Sequence, residues 1–264
     1  MREDLPLTFE QVGEVGCIRL QRPRQLNAIN PAMVSALEAA LAGAEEARCR
    51  ALLITGSGRA FCAGADLAEL PGVGGAAPNP STLREFLLRM KAACDRLEAF
   101  PAPTVAVVNG LACAGGLELV LCCDIVVASP EARLGDMHAN YGLLPGAGAS
   151  LRLPQRIGLG AARLLMYSGE SWSAEEFHRL GLVQRLFSAQ ELEPEAFALA
   201  AALAAKSPLA ARRTKELLAA GAALPREDAL FQEIERLAAH SASSDMREGL
   251  LAFTEKRPPA FTGH

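Results

Sequence analysis

Glu118 is the one acidic residue in an otherwise small and apolar stretch, Asn109-Gly-Leu-Ala-Cys-Ala-Gly-Gly-Leu-Glu-Leu-Val-Leu-Cys-Cys-Asp124. It follows Gly115 and Gly116 closely and is flanked by Leu117 and Leu119. The β-branched run at 103–108 before it and Ile125-Val-Val-Ala128 after it read as buried strands. A strand that enters a glycine-rich turn and then a helix leaves free backbone N–H groups at the turn, and these favour negative charge. The chemistry this suggests is that the Gly115 N–H serves a carbonyl oxygen while Glu118 acts close by. The plainer alternative for Glu118 is a first-turn helix acid favoured by the dipole, but leucines on both sides argue for a buried, working carboxyl.

A second glycine-rich segment, Gly56-Ser-Gly-Arg-Ala-Phe-Cys-Ala-Gly-Ala-Asp-Leu67, also follows a strand-like run, at 51–55. Two such turns can aim two backbone donors at one oxygen, stabilising an enolate or a tetrahedral anion. Each donor is worth roughly 3–4 kcal/mol in a transition state. Taken singly, each turn is also explained as a tight turn made of glycine. His138 lies in the irregular stretch 133–148, and a neutral imidazole can accept or donate a proton near pH 7. Its plain alternative is a loop histidine held by a hydrogen bond. Asp136, Asn140 and Tyr141 offer further polar contacts beside it.

The elements that must position these residues can be read in order. Residues 14–20 form a strand ended by Arg22-Pro-Arg24, and Asn30-Pro31 supplies an N-cap and a first-turn proline for a helix bearing Val34, Leu37, Ala40 and Leu41. Strand, helix, strand at the start predicts parallel pairing. Pro71 to Pro80 is a loop rich in proline and glycine, readable as a solvated connection or as a flap over a ligand site. Residues 81–100 form an amphipathic helix. Later helices are expected at 149–156, 159–168, 174–180, 190–204, 207–220 and 227–256, so an α/β part precedes an all-helical one.

The chain has 264 residues, half of them hydrophobic, with a formal net charge of −4. That suffices for one large domain, or a domain with an appendage. The acidic balance and dispersed basic residues exclude a nucleic-acid footprint. The seven cysteines are odd in number and form no CxxC pair, and the four histidines are far apart, so metal-ligand spacing is absent. The thiols read as buried and reduced in a cytoplasmic protein. No signal peptide is expected, nor any membrane span, since no run approaches the ~20 apolar residues one needs. Gly158-Leu-Gly160 follows no strand and lacks a third glycine, so it is no dinucleotide fingerprint, and no GxSxG elbow or phosphate-binding loop occurs. His178 and His240 fall on amphipathic helices and read as structural.

Several motifs in register together resemble the enoyl-CoA hydratase/isomerase (crotonase) family. They are Phe61-Cys-Ala-Gly-Ala-Asp-Leu67, Asn109-Gly110 with Ala114-Gly-Gly-x-Glu118, Cys123-Asp124, and Gly142-Leu-Leu-Pro-Gly146. Arg22-Pro-Arg-Gln-Leu-Asn-Ala28 looks like that family's first CoA-contacting turn, and residues 249–261 look like its C-terminal signature. The resemblance spans nearly the whole chain. It implies an α/β, crotonase-like spiral of ββα units with a helical C-terminal region. It places an acyl-CoA-binding core over 1–195 and an oligomerisation region over 196–264.

The resemblance also implies roles. Ala65 and Gly115 would form an oxyanion hole around an acyl-CoA thioester oxygen. Ala63, Asp66, Leu67 and Ala68 would line the path of the CoA arm, and Arg24 and Leu26 match the early CoA-binding turn. Phe253 and Lys256 match an adenine stack and a phosphate contact offered to a neighbouring subunit's ligand. No cofactor is implied beyond the coenzyme A carried by the substrate, and the assembly implied is a homotrimer or dimer of trimers, with neither nucleic acid nor membrane as partner. Glu118 matches the first of the hydratases' two glutamates, the one that positions and activates water. The second glutamate's place is held by His138. An acidic residue found in the family's dienoyl isomerases is replaced here by Gly146. The reaction implied is water addition to a 2-enoyl-CoA. Isomerisation, thioester hydrolysis and acyl-CoA binding without catalysis remain as alternatives, and the acyl pocket would be lined by Leu70 to Pro80, the 81–97 helix and the C-terminal helices.

Overall fold

The computed structural model describes residues 5–70, 72 and 79–264. The chain opens with a hairpin, β1 (Leu7–Val12) antiparallel to β2 (Val15–Leu20). Only β2 was expected, because β1 has a single buried residue, Leu7, and its outer half is exposed at a sheet edge. Pro23–Gln25 is one 3-10 turn, and α1 (Pro31–Glu46) follows. The Asn30 side chain accepts from the Met33 N–H at 2.9 Å, as the Asn-Pro pair predicts.

From β3 onward the chain repeats one unit. β3 (Ala51–Gly56), β5 (Thr104–Val108) and β7 (Ile125–Ala128) enter a large sheet, and each is followed at once by a short strand, β4 (Ala60–Cys62), β6 (Leu111–Cys113) or β8 (Arg133–Gly135), that enters a smaller one. The intervening helices are α2 (Pro80–Glu98), α3 (Gly115–Leu121) and α4 (Ala149–Ile157). After α5 (Leu159–Ser168) come β9 (Trp172–Ser173), α6 (Ala174–Arg179) and β10 (Arg185–Leu186). The sheets run β1-β2-β3-β5-β7-β10 and β4-β6-β8-β9, parallel except at β1 and β9. This is the ββα spiral, and β2–β3 pair in parallel as expected. The three-residue strands are too short to show a period, so 133–148 read as irregular whereas it holds β8 and a 3-10 turn, His138–Tyr141.

The long strands are buried on both faces, which explains their unbroken apolar runs. Leu52 and Ile54 of β3, with Ala106 and Val108 of β5, face the main core. Leu53, Val105 and Val107 face a second layer made by α7 (Leu192–Ala204), where Ala196, Ala200 and Ala204 sit at helical spacing and let the helix lie close. The chain ends in α8 (Pro208–Ala223), α9 (Arg226–His240) and α10 (Ser244–Glu255). One helix was expected over 227–256. It is broken at 241–243, where the Ser243 hydroxyl accepts from the Met246 N–H and caps a new helix. Among the described residues no helix is long and apolar enough to cross a membrane.

Candidate active site

The two glycine-rich turns meet. Ala65 pairs with Ile29 in an isolated parallel bridge, in which the Ile29 N–H donates to Gly64 O at 2.7 Å and the Asp66 N–H donates to Ile29 O at 2.9 Å. Because N–H groups alternate along an extended chain, the Ala65 N–H then points away from Ile29. It points toward α3: a Cβ built on Gly115 would lie 3.6 Å from Ala65 N and 3.5 Å from Gly64 Cα. The approach depends on glycine. Gly64 has φ +95, and a Cβ there would stand 3.2 Å from Gly115 N, while one on Gly116 would overlap Cys62 O of β4. Among the described residues neither the Ala65 nor the Gly115 N–H has an acceptor. Two adjacent backbone donors therefore remain for a ligand oxygen.

Glu118 sits one turn into α3 and is only 3 % exposed. Its Oε1 accepts from the Ala147 N–H at 2.8 Å and the Ala149 N–H at 3.0 Å. Oε2 has no partner among the described residues, so one oxygen anchors the carboxyl and the other is left to act. Burial pushes this carboxyl above the usual carboxylate range, against the two backbone donors and the His138 charge; Asp136 pushes it further up.

His138 is buried at the start of its 3-10 turn. Its Nδ1 lies 3.0 Å from Asp136 Oδ2, and Asp136 is 1 % exposed. Met137 between them has φ 57 and ψ −1, a left-handed conformation uncommon for a residue with a side chain. Burial works against a charge on His138, but the hydrogen bond to Asp136 and the negative charges of Asp136 and Glu118 outweigh it and hold the imidazole above its ordinary value.

The expected CoA-binding residues divide. Leu26, in a left-handed turn, is tied to the 63–66 loop because its carbonyl accepts from the Ala63 N–H at 3.0 Å. Asp66 is held by Arg22 at 2.9 Å, and Arg22 also binds Glu69 at 2.8 Å, so Arg22 rather than Arg24 fixes this loop from within the chain. Arg24, Leu67 and Ala68 are exposed beside it. Phe253, 84 % exposed, and Lys256 lie at the end of α10, and among the described residues no hydrogen bond or ion pair joins them to the Ala65–Gly115 pair. The expected flap, Pro71 to Pro80, lies largely outside the described residues. The described part of the acyl-pocket expectation, α2, buries Phe86 and Met90 in the core.

Sequence reasoning missed Arg152 as a site residue. Its Nη1 donates to Ala147 O at 2.7 Å, on the peptide next to the one that serves Glu118, and its Nη2 binds Glu98 at 2.6 Å and Asp95 at 3.2 Å on α2. An arginine inside the otherwise apolar face of 149–157 was the available signal. Among the described residues no cluster of three or more histidine, cysteine, aspartate or glutamate side chains could hold a metal.

A ββα spiral that brings two free backbone donors beside a buried acid defines the crotonase class of fold. The sequence profile of the enoyl-CoA hydratase/isomerase family matches residues 10–264. The 2,3-dehydroadipyl-CoA hydratase of Escherichia coli is 37 % identical over 250 residues, which cover 93 % of this chain and 94 % of that protein. The crotonyl-CoA hydratase of Syntrophomonas wolfei is 32 % identical over 257 residues, 97 % of each. The crystal structure of an enoyl-CoA hydratase from Bacillus anthracis superposes with a TM-score of 0.92 at 35 % identity, covering 98 % of this chain and 100 % of that one. This chain belongs to the enoyl-CoA hydratase/isomerase family.

Proposed function

We propose that this protein adds water across the double bond of a 2-enoyl-CoA. The thioester oxygen accepts from the Ala65 and Gly115 N–H groups, which carry the enolate charge that develops when the β-carbon is attacked. Glu118 Oε2 takes a proton from water as the water oxygen bonds to the β-carbon. The α-carbon then takes a proton from His138, so that H and OH are added and no group leaves. The observation that carries this reading is the buried Glu118 carboxylate, one turn along the helix that begins at Gly115, held through Oε1 by two N–H groups while Oε2 has no partner among the described residues.

Binding of the CoA arm falls to Arg24, Leu26, Ala63, Asp66, Leu67 and Ala68 along the oxyanion loop. The exposure of Phe253 and Lys256 supports their serving a ligand in a neighbouring copy rather than in their own chain. Coenzyme A enters as part of the substrate, and no separate cofactor is required by these steps. Residues 1–195 act as the acyl-CoA-binding core and 196–264 as the oligomerisation region. All seven cysteines carry free thiols, which suits a reducing cytoplasm.

The test follows crotonyl-CoA by loss of enoyl absorbance and, separately, by release of free CoA thiol. Glu118→Ala should lower kcat by at least ~10²-fold while CoA-ester binding, read by calorimetry, persists. Unchanged turnover in that variant removes the assignment. Thiol release without loss of the enoyl group would mark a thioester hydrolase instead.

A further inference from the structure

Adding water to an enoyl thioester needs an ionised base and a protonated acid side by side at one pH. Glu118 can serve as the base. An isolated buried histidine is a poor acid at neutral pH, because burial favours its uncharged form. What His138 has in addition is Asp136. The Asp136 carboxylate is almost wholly buried and, among the described residues, its single hydrogen-bond partner is His138 Nδ1 at 3.0 Å. A buried carboxylate with one partner is costly unless that partner is a cation. Between them the Met137 backbone is left-handed, and the two side chains meet across it.

We propose that Asp136 is a positioning residue that fixes His138 with Nδ1–H turned to its carboxylate and Nε2 left as the atom that exchanges a proton with the substrate α-carbon. This inference rests on the hydratase reading and deepens it. An Asp136 anion with a His138 cation has no net charge and holds one transferable proton, the state of an un-ionised carboxyl group. The site as a whole then carries only the charge of Glu118. In the forward reaction Nε2–H gives its proton to the α-carbon and the ring becomes neutral, still donating Nδ1–H to Asp136. Glu118, now protonated, returns its proton through solvent, and His138 takes one back. Among the described residues the charged groups that act on the imidazole are Asp136 and Glu118, and both favour its protonated form.

The experiment compares Asp136→Asn with the parent protein. Asparagine keeps an acceptor for Nδ1–H and removes the charge. The kcat for crotonyl-CoA hydration should fall ~10- to 100-fold with KM changed by less than about 3-fold, a loss typical of a displaced acid or base. The alkaline limb of the pH profile should move to lower pH, and Asp136→Glu should recover part of the rate. In a His138→Glu background, Asp136→Asn should cost little or nothing, since a carboxyl at 138 needs no counter-charge. An equal loss in both backgrounds, or an unmoved alkaline limb, would overturn the proposal. Two readouts do not need hydration. NMR titration of the His138 imidazole, assigned by its absence from His138→Gln, should shift down in Asp136→Asn. Exchange of the α-protons of butyryl-CoA with deuterated solvent should slow in the same variant. If the parent protein exchanges α-protons but hydrates no enoyl-CoA, the hydration reading fails and the pair stands. If the titration and the exchange are both unchanged by Asp136→Asn, the pair fails whatever the reaction.

Discussion

Arg152 occupies the space that a side chain on Gly148 would need: a Cβ built there would overlap Arg152 Nη1, and Gly148 has φ +112. The guanidinium passes over this bare backbone to reach Ala147 O, while the N–H groups of Ala147 and Ala149 on either side hold Glu118. The same guanidinium is anchored to Glu98 and Asp95. Helix α2, Arg152 and the Glu118 carboxyl are thus joined through one peptide segment.

This arrangement makes Gly148→Ala and Arg152→Ala act on Glu118 from a distance. Gly148→Ala forces a methyl against Arg152 in a conformation that alanine resists, at a cost of about 1–3 kcal/mol. Arg152→Ala leaves Glu98 and the Ala147 carbonyl without their partner; with the carboxylates half exposed, the loss is about 1–3 kcal/mol, mostly from the buried carbonyl. Urea unfolding should show both losses. Because both variants loosen the segment that carries two N–H donors, kcat should fall more than KM rises. Full kcat in either variant would mean that Glu118 does not depend on the segment.

The Ala65 and Gly115 N–H groups, the proposed oxyanion donors, can be separated without touching either of them. Gly64→Ala places a methyl 2.9 Å from Ala114 Cβ and 3.2 Å from Gly115 N, at a φ of +95 that alanine rarely adopts. The bridge to Ile29 and helix α3 must move apart. Losing alignment of one donor should lower kcat ~10²- to 10³-fold. A folded variant, judged by circular dichroism, that retains the parent rate would show that Ala65 and Gly115 do not share one oxygen.

How far this site was legible in the sequence depends on how local each constraint is. Asn30-Pro31, the three long strands and the two glycine turns are dictated within a few residues of themselves, so α1, β3, β5 and β7 were readable, whereas the pairing of Ala65 with Gly115 across fifty positions was implied only by the family resemblance. Strands β4, β6 and β8 each hold three residues, which is less than two periods of alternation, and their pairing is decided by the sheet they join. The Asp136–His138 contact forms around a left-handed Met137, and methionine gives no sign of that conformation. Arg152 stands out locally as an arginine on an apolar helix face, but its carboxylate partners lie more than fifty positions away, so its role could not be read from that signal. The break between α9 and α10 was readable in principle, since Ser243 before Asp245 is an N-cap signature that the surrounding helical pattern overrode.

The C-terminal helices carry a prediction of their own. Helix α9 has no buried residue, and Phe231, Ile234 and Leu237 on it, with Leu218 on α8, are all more than half exposed. Helix α8 is nonetheless tied to the core by Lys215, 2.8 Å from Asp124. An apolar face of this kind on an anchored helix pair is what an assembly interface needs. Sedimentation should show a trimer or a hexamer, and Phe231→Asp with Leu237→Asp should yield smaller species of lower thermal stability. A parent protein that sediments as a monomer at micromolar concentration would exclude this role for the face.

Burial of Glu118 has a consequence for stability that is opposite in sign to its consequence for activity. Its carboxyl is raised above the ordinary range in the folded chain, so the folded state holds that proton more tightly than the unfolded state does. The folded state therefore bears no penalty from this group at pH values below the unfolded carboxyl value. The penalty grows as pH rises, and it is complete above the folded value. Glu118→Gln keeps Oε1 as the acceptor for Ala147 and Ala149 and never ionises. At neutral pH this variant should match or exceed the parent in urea resistance while losing at least ~10²-fold in kcat. As pH falls toward the carboxylate range the stability gap should close, because the parent carboxyl then becomes neutral as well. A gap that widens on acidification would mean that the folded chain prefers Glu118 ionised, and the raised carboxyl would have to be abandoned.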